Sequence, residues 1–333
     1  MREKWLACVR FLMSVGVVAG LVANPAAAQG PAQNYPDRPV TLVVPYPAGA
    51  AVDNVGRLIA LQLQQALGQP VIVDNRAGAG SQIGTAHVVK AAPDGYTLLM
   101  TTLDALTLLP LVRELNYDPG TDLVELARVA RIPYSIQANP NTGLQSLDAL
   151  IAYAKQHPGM LRYGSTGNGS LAHVAMELFA NKAGIELLHV PYRGMAASVN
   201  DLLAGHIDLA VVSTSTIAPH VAMGKVVPIA LMTDDPNPLW PGMQDMKSRG
   251  INGVDAELEF VVVAPAGLPP AIAARLSGAL EKLNADPAFS QSIQKLEMVP
   301  APLNASQTTD RRRQDAEKWE QVLRTLKIEK ETS

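Results

Sequence analysis

Gly164-Ser165-Thr166-Gly167-Asn168-Gly169-Ser170 sets three glycines and three hydroxyl side chains directly before an apolar, helix-patterned stretch. Such a loop offers one anion its backbone N–H groups, its hydroxyls and a helix N-terminus, with Ser170 suited to cap the helix. A flexible capped loop is the other reading of the same residues. His173, one turn into that helix, could face a ligand or serve the packing. Pro45-Tyr46-Pro47-Ala48-Gly49-Ala50-Ala51 leaves an apolar strand and enters a helix. Free N–H groups and the helix dipole favour negative charge there, and Gly49 lets a ligand approach the backbone. An ordinary strand–helix turn also accounts for it. Gly194-Met195-Ala196 begins another helix and offers a third N-terminus. Thr101-Thr102 puts two hydroxyls at a strand end, which is either a cleft feature or simple strand-end polarity. Asp53 could accept from a ligand amino group or tie down its own loop, and the loop role is favoured. Arg193 reads as solvated rather than as a carboxylate clamp, and Asp208 as structural.

Other chemistries lack their residues. A nucleophile elbow needs G-x-S-x-G after a strand, and Gly164-Ser165-Thr166-Gly167 has the wrong spacing. A dinucleotide loop needs G-x-G-x-x-G, and Gly78-Ala79-Gly80-Ser81-Gln82-Ile83-Gly84 is one residue too long. The histidines at 87, 157, 173, 189, 206 and 220 never fall four apart, so zinc ligation has no pattern to rest on. The expectation is a binding protein with no catalytic residues, metal or cofactor.

The elements that must carry these loops alternate. Val40–Val44 is a continuous apolar run, as in a parallel strand buried on both faces. Val52, Val55, Ile59, Leu63 and Leu67 recur at helical spacing up to Gly68. Val71–Val73 is a strand, Gly78-Ala79-Gly80 a turn into a helix ending near Ala92, and Tyr96–Met100 a third strand. The pattern restarts after Ile132, with strands at 161–164, 187–190, 207–212 and 226–232 and helices at 170–183 and 196–204. Glu259–Ala264 is a further strand, and 271–284 and 308–326 are helices. Two βαβ blocks in series argue for an α/β fold of two doubly wound lobes.

The 333 residues carry 27 Lys+Arg and 30 Asp+Glu, a net charge of −3, with 48% apolar and 17% charged residues. That balance suits a globular chain and gives no basic footprint for nucleic acid. Arg2, Lys4 and Arg10, an apolar run from Phe11 to Ala23 and Ala26-Ala27-Ala28 have the order of a secretory signal peptide, cut after Ala28. The run is too short for a membrane span of ~20 residues. Removing 1–28 takes away three basic groups, one acidic group and Cys8, the single cysteine, which leaves a cysteine-free chain of net charge −5. The mature chain is expected to be periplasmic, not membrane-inserted and monomeric.

Tyr35-Pro36-Asp37-Arg38-Pro39-Val40-Thr41-Leu42-Val43-Val44-Pro45-Tyr46-Pro47-Ala48-Gly49, with Asp53 beyond, closely resembles the N-terminal signature of the Bug family. These are periplasmic solute-binding proteins of tripartite tricarboxylate transporters. Gly68–Gly80, Ile83-Gly84, Pro93-Asp94-Gly95-Tyr96-Thr97-Leu98, Tyr163–Ser170 with His173, and His189-Val190-Pro191-Tyr192-Arg193-Gly194 match it as well. The resemblance runs from about Tyr35 to the end of the chain. It implies a bilobal binding protein of the type II periplasmic class that closes on a small carboxylate. Lobe 1 would comprise 35–130 plus 255–333 and lobe 2 131–254, with the Pro45–Ala51 loop holding one ligand carboxylate, partly through ordered water.

Residues and resemblance together nominate Tyr46, Ala48, Gly49, Ala50, Asp53, Thr101, Thr102, Ser165, Thr166, Gly169, Ser170, His173, Gly194, Met195, Ala196 and Ser213 as ligand-binding. The expected partners are the carboxylate and membrane transporter subunits. A sensor receptor, or an exported hydrolase, is the alternative role. The chain departs from the family pattern at Ala50 and Ser81, where glycines are usual. It departs again at Val212-Ser213, in place of an aromatic–acid pair, at Leu109-Pro110, where an Asn-Pro is usual nearby, and at Glu259-Phe260, in place of a tryptophan. These changes bear on the distal end of the ligand.

Overall fold

Val40, Leu42, Val43 and Val44 are buried in strand β1 (Val40–Val44), which lies between two parallel neighbours, β2 (Val71–Asn75) and β3 (Thr97–Thr102). The computed structural model describes residues 34–233, 237, 239–244 and 246–330. It divides into two compact units, 1–35 and 36–333, and every element named here belongs to the second. The expected signal peptide lies outside the described residues. Helix α1 (Ala51–Leu67) buries Val52, Val55, Ile59, Leu63 and Leu67. It stops at Gly68, which takes the left-handed φ of 74° and returns its N–H to Gln64. Helix α2 (Gln82–Val89) connects β2 to β3. Three short helices follow: α3 (Asp104–Thr107), α4 (Leu109–Val112) and α5 (Pro119–Asp122).

The chain then enters β4 (Leu123–Ala138), a 16-residue strand that joins the halves of a ten-stranded sheet. Residues 123–133 pair antiparallel with β9 (Glu257–Pro265), and 134–138 pair with β7 (Leu209–Ser213) and β8 (Val227–Leu231). Register shifts between Glu125 and Ala127 and between Arg128 and Ala130 bend it on the way. In the second half, β5 (Arg162–Ser165) runs parallel to β6 (Leu188–Pro191) and β7. The helices here are α6 (Leu147–Gln156), α7 (Leu171–Ala183), α8 (Met195–Ala204) and α9 (Thr214–Ala222). After β9 come α10 (Pro270–Asn284), α11 (Pro287–Lys295), β10 (Val299–Leu303), which pairs with β4, and α12 (Ala305–Leu326). The sheet order is β2-β1-β3-β9-β4-β7-β5-β6.

The sequence reading places a restart after Ile132, but the structure runs one strand through that point. Glu125, Arg128, Arg131 and Pro133 hide it, because charges and a proline break the apolar run. Each charge has a distant partner: Glu125 pairs with Arg312, Arg128 with Glu259, and Arg131 with Glu257 at 2.9 Å. The cores also cross the expected lobe limits. Trp319 and Leu323 of α12, with Leu108 and Val112, join Tyr134, Phe179 and Leu209 in one cluster.

Candidate functional site

Strand directions alone bring the nominated loops together. Thr102, Phe260 and Ala130 share one level across β3, β9 and β4, while Ser213 lies level with Tyr134. β3 runs with β4 and β7 runs against it, so their C-terminal ends point at each other. Four residues of β4 separate the two levels, about 13 Å at the rise of a strand. The β1–α1, β3–α3, β5–α7, β6–α8 and β7–α9 junctions therefore face one cleft, the place where open α/β sheets bind ligands.

On the first side, Asp53 is 1% exposed and fully engaged. It accepts from Gly49 N–H at 2.8 Å, Arg57 Nε at 2.9 Å and Asn75 Nδ2 at 2.9 Å. Burial pushes its carboxyl up, but these bonds and the Arg57 charge outweigh that and hold it below the ordinary value. Its role is to fix the loop at Gly49, whose φ is +83°. Ala48 is exposed and Ala50 half-buried beside the first turn of α1, whose N–H groups a helix leaves unpaired.

Tyr46 Oη lies 2.8 Å from Thr102 Oγ1. Burial, then the Asp104 charge, pushes its phenol up to about 12, with Thr102, Thr101 and Ser81 close enough to oppose the shift. Thr101 Oγ1, Ser81 Oγ and Asp104 Oδ1 are buried without a hydrogen-bond partner among the described residues. Tyr134, from β4, lies within electrostatic reach of both Tyr46 and Asp104, and burial raises its pKa.

On the second side, Ser170 caps α7, its Oγ accepting from His173 N–H at 3.3 Å and donating to Gly167 O at 2.7 Å. Gly169 N–H donates to His173 Nδ1 at 3.1 Å, so the proton of this neutral ring sits on Nε2. His173 stacks on His189 with ring centroids 4.0 Å apart, and Tyr163 stacks on His189 at 4.9 Å. His189 Nε2 lies 2.7 Å from Ser165 Oγ, which also receives Gly167 N–H. Thr166 is half-buried in the same loop. The N–H groups of Gly49 and Gly169 are thus both bonded within the protein. The loops offer their helix first turns and hydroxyls instead.

Gly194 (φ +106°) leads into α8, followed by half-buried Met195 and exposed Ala196. Ser213 Oγ reaches Met195 Sδ at 3.4 Å and Thr216 Oγ1 at 2.8 Å, which joins the β6–α8 and β7–α9 junctions. Arg193 is exposed. Asp208 accepts from Arg162 N–H at 2.8 Å and ties β5 to β7. The residues missed from sequence are Asp104, Tyr134 and His189. Asp104 is two positions beyond Thr102, and His189 is level with Tyr163 on the adjacent strand, so both were within reach of strand-end reasoning.

A profile of the family described as "Tripartite tricarboxylate transporter family receptor" (TctC) matches residues 55–328. The chain belongs to this family. It is a solute-binding receptor of the TctC (Bug) type, from a family of transport binding proteins rather than enzymes. The TctC chain is 33% identical over 325 residues to "UPF0065 protein in gbd 5'region" of Cupriavidus necator, covering 96% of this chain and 98% of that one. Among solved structures, R. palustris Rpa4515 with adipate superposes with a TM-score of 0.81 at 29% identity, covering 90% of this chain and all (100%) of that one. The periplasmic binding protein BugD gives 0.77 at 29% identity, covering 89% and 100%. The α/β periplasmic binding protein fold read from the sequence is the fold of this TctC receptor. None of its described helices is long and apolar enough to cross a membrane.

Proposed function

We propose that this receptor captures a small carboxylate in the cleft between the two sheet halves and delivers it to membrane subunits of a tripartite transporter. The observation that carries the reading is the convergence of five strand C-terminal junctions on one cleft. Helix first turns and hydroxyls there suit an anion better than any paired arginine. The similarity to Rpa4515, whose structure holds adipate, supports a carboxylate. In this reading the nominated residues line the cleft, with Asp53, Ser170 and His173 acting through the loops they hold. Lobe 1 (35–130 plus 255–333) and lobe 2 (131–254) hinge about β4 and β9. The signal-like segment 1–28 sends the chain to the periplasm, where it is cut after Ala28.

The test is a thermal-shift panel on protein recovered from the periplasm of cells expressing the full chain. The panel spans mono-, di- and tricarboxylates, amino acids and aromatic acids. At least one carboxylate should raise the melting temperature in a saturable way. A panel in which only neutral solutes such as sugars bind overturns the reading. Mass spectrometry of the same material should find an N-terminus near Gln29.

A further inference from the structure

The half-buried ring of His173 can serve its loop only while it is neutral. Its Nδ1 lies 3.1 Å from the backbone N of Gly169 and accepts that N–H. A backbone amide only donates, so the direction of this bond is fixed. An imidazolium carries N–H on both ring nitrogens and accepts nothing. Protonation of His173 therefore sets N–H against N–H and breaks the bond. The loop has little room to compensate. Gly169 sits at a left-handed φ of 68°, and it is so close to Val112 that a Cβ would come within 3.1 Å. Its neighbour Ser170 accepts from His173 N–H at 3.3 Å and donates to Gly167 O at 2.7 Å, so residues 167–173 form one bonded unit.

The surroundings make the neutral ring the resting one. His189, on β6, stacks on His173 with centroids 4.0 Å apart, and its Nε2 lies 2.7 Å from Ser165 Oγ, which receives Gly167 N–H at 3.1 Å. A charge on His173 would lie against this second ring and in the first turn of α7, where the helix dipole is positive. Two other titratable groups face the pair. Tyr163 of β5 stacks on His189 at 4.9 Å, and Glu177, one turn along α7, accepts from Tyr163 Oη at 2.5 Å. Glu177 favours a charged ring, but burial outweighs it and holds His173 below its ordinary value. We propose that His173 is a proton-operated gate on capture. Neutral, it holds the Gly167–Ser170 loop and the first turn of α7 ready for an anion; protonated, it lets the loop and the bound carboxylate go. The inference rests on the carboxylate-capture reading above and makes His173 a positioning residue.

A positive ring by itself draws an anion closer, so the sign of the pH dependence separates the loop from the charge. Isothermal calorimetry on receptor recovered from the periplasm measures it near pH 7.5 and near pH 5. The probes are the panel carboxylates that bind, with glutarate, citrate, glutamate and benzoate among those offered. Wild type should bind about threefold or more weakly at the lower pH, the effect of losing one neutral hydrogen bond. His173→Asn gives Gly169 an amide oxygen that accepts at both pH values. Whatever its absolute affinity, this variant should lose less than wild type does on acidification, because protonation of the carboxylate itself acts on both proteins alike. Nuclear magnetic resonance supplies a measurement without ligand. Long-range proton–nitrogen spectra near pH 7.5 should place the His173 proton on Nε2, and the Gly169 amide shift should follow the titration of that ring. Wild-type binding that holds or tightens on acidification, equal losses in the two proteins, a His173 proton on Nδ1, or a Gly169 amide indifferent to the titration overturns the gate and leaves carboxylate capture standing. If no carboxylate of the panel binds, both readings fall.

Discussion

His173 and His189 lie face to face, and their packing favours the neutral form of both rings. Burial pushes His173 down. Burial, then His173 itself, pushes His189 down to about 4. His189 is thus neutral in the fold where the unfolded chain's imidazole is protonated. Its contribution to stability is complete above about pH 6.5 and is lost as pH falls from there toward 4. After discounting for the ring's partial exposure, that loss is on the order of 2 kcal/mol. Asp104 and Asp315, both raised, work in the opposite direction over part of this range. The quantity to measure is therefore the difference between wild type and His189→Phe in urea unfolding, near pH 7 and near pH 4.5. Wild type should lose more stability on acidification, and equal losses would reject the stacked neutral pair. At this scale the sequence shows residue types but not which partners they find. Asp53 and Asp104 look alike in the chain, and only folding shows that Arg57 and Asn75 hold the first carboxyl below its ordinary value while burial raises the second.

Helix α2 sits against the start of the β1–α1 loop because residue 84 has no side chain. A Cβ on Gly84 would meet Pro45 Cβ at 2.7 Å, Arg76 O at 2.8 Å and Pro45 Cα at 2.9 Å. Backbone on two sides cannot yield easily, so Gly84→Ala should cost about 1–3 kcal/mol and shift the loop that holds Tyr46. Denaturant unfolding reads the first effect and ligand affinity the second. An unchanged midpoint would mean that α2 moves freely over the loop. Elements of this kind were legible where periodicity was clean: α1 with its Gly68 stop, α7 with its Ser170 cap, and the parallel strands. β4 was not, since its bulges break the alternation and its charges take partners more than 120 residues away, such as Glu259 at a separation of 131. β10 was missed for a related reason, because Pro300 and Pro302 remove donors in a strand that pairs with β4 alone.

For the whole molecule, the consequence is that two half-sheets share their central strand and little else of the backbone ladder. Their cleft-facing ends are about 13 Å apart along β4. A ligand smaller than that gap gains contacts from both sides only if the halves swing together, and in the proposed closure β4 with β9 would supply the pivot. The charged pairs Arg128–Glu259 and Arg131–Glu257 lie along these two strands, with Arg311 of α12 also on Glu259. In that closure they would hold the two strands in register. Ligand binding should then shrink the radius of gyration measured by X-ray scattering. At a free concentration of 100 times Kd, it should also stabilise the fold by about 2.7 kcal/mol through mass action, a rise in Tm of roughly 5 °C for a chain of this size. The two readouts separate two ideas. A thermal shift with compaction supports hinge closure, whereas the same shift at constant radius, with saturation verified by calorimetry, would mean a preformed cleft. In that second case β4 would act as a rigid spine, and affinity would come from the loops without any closure.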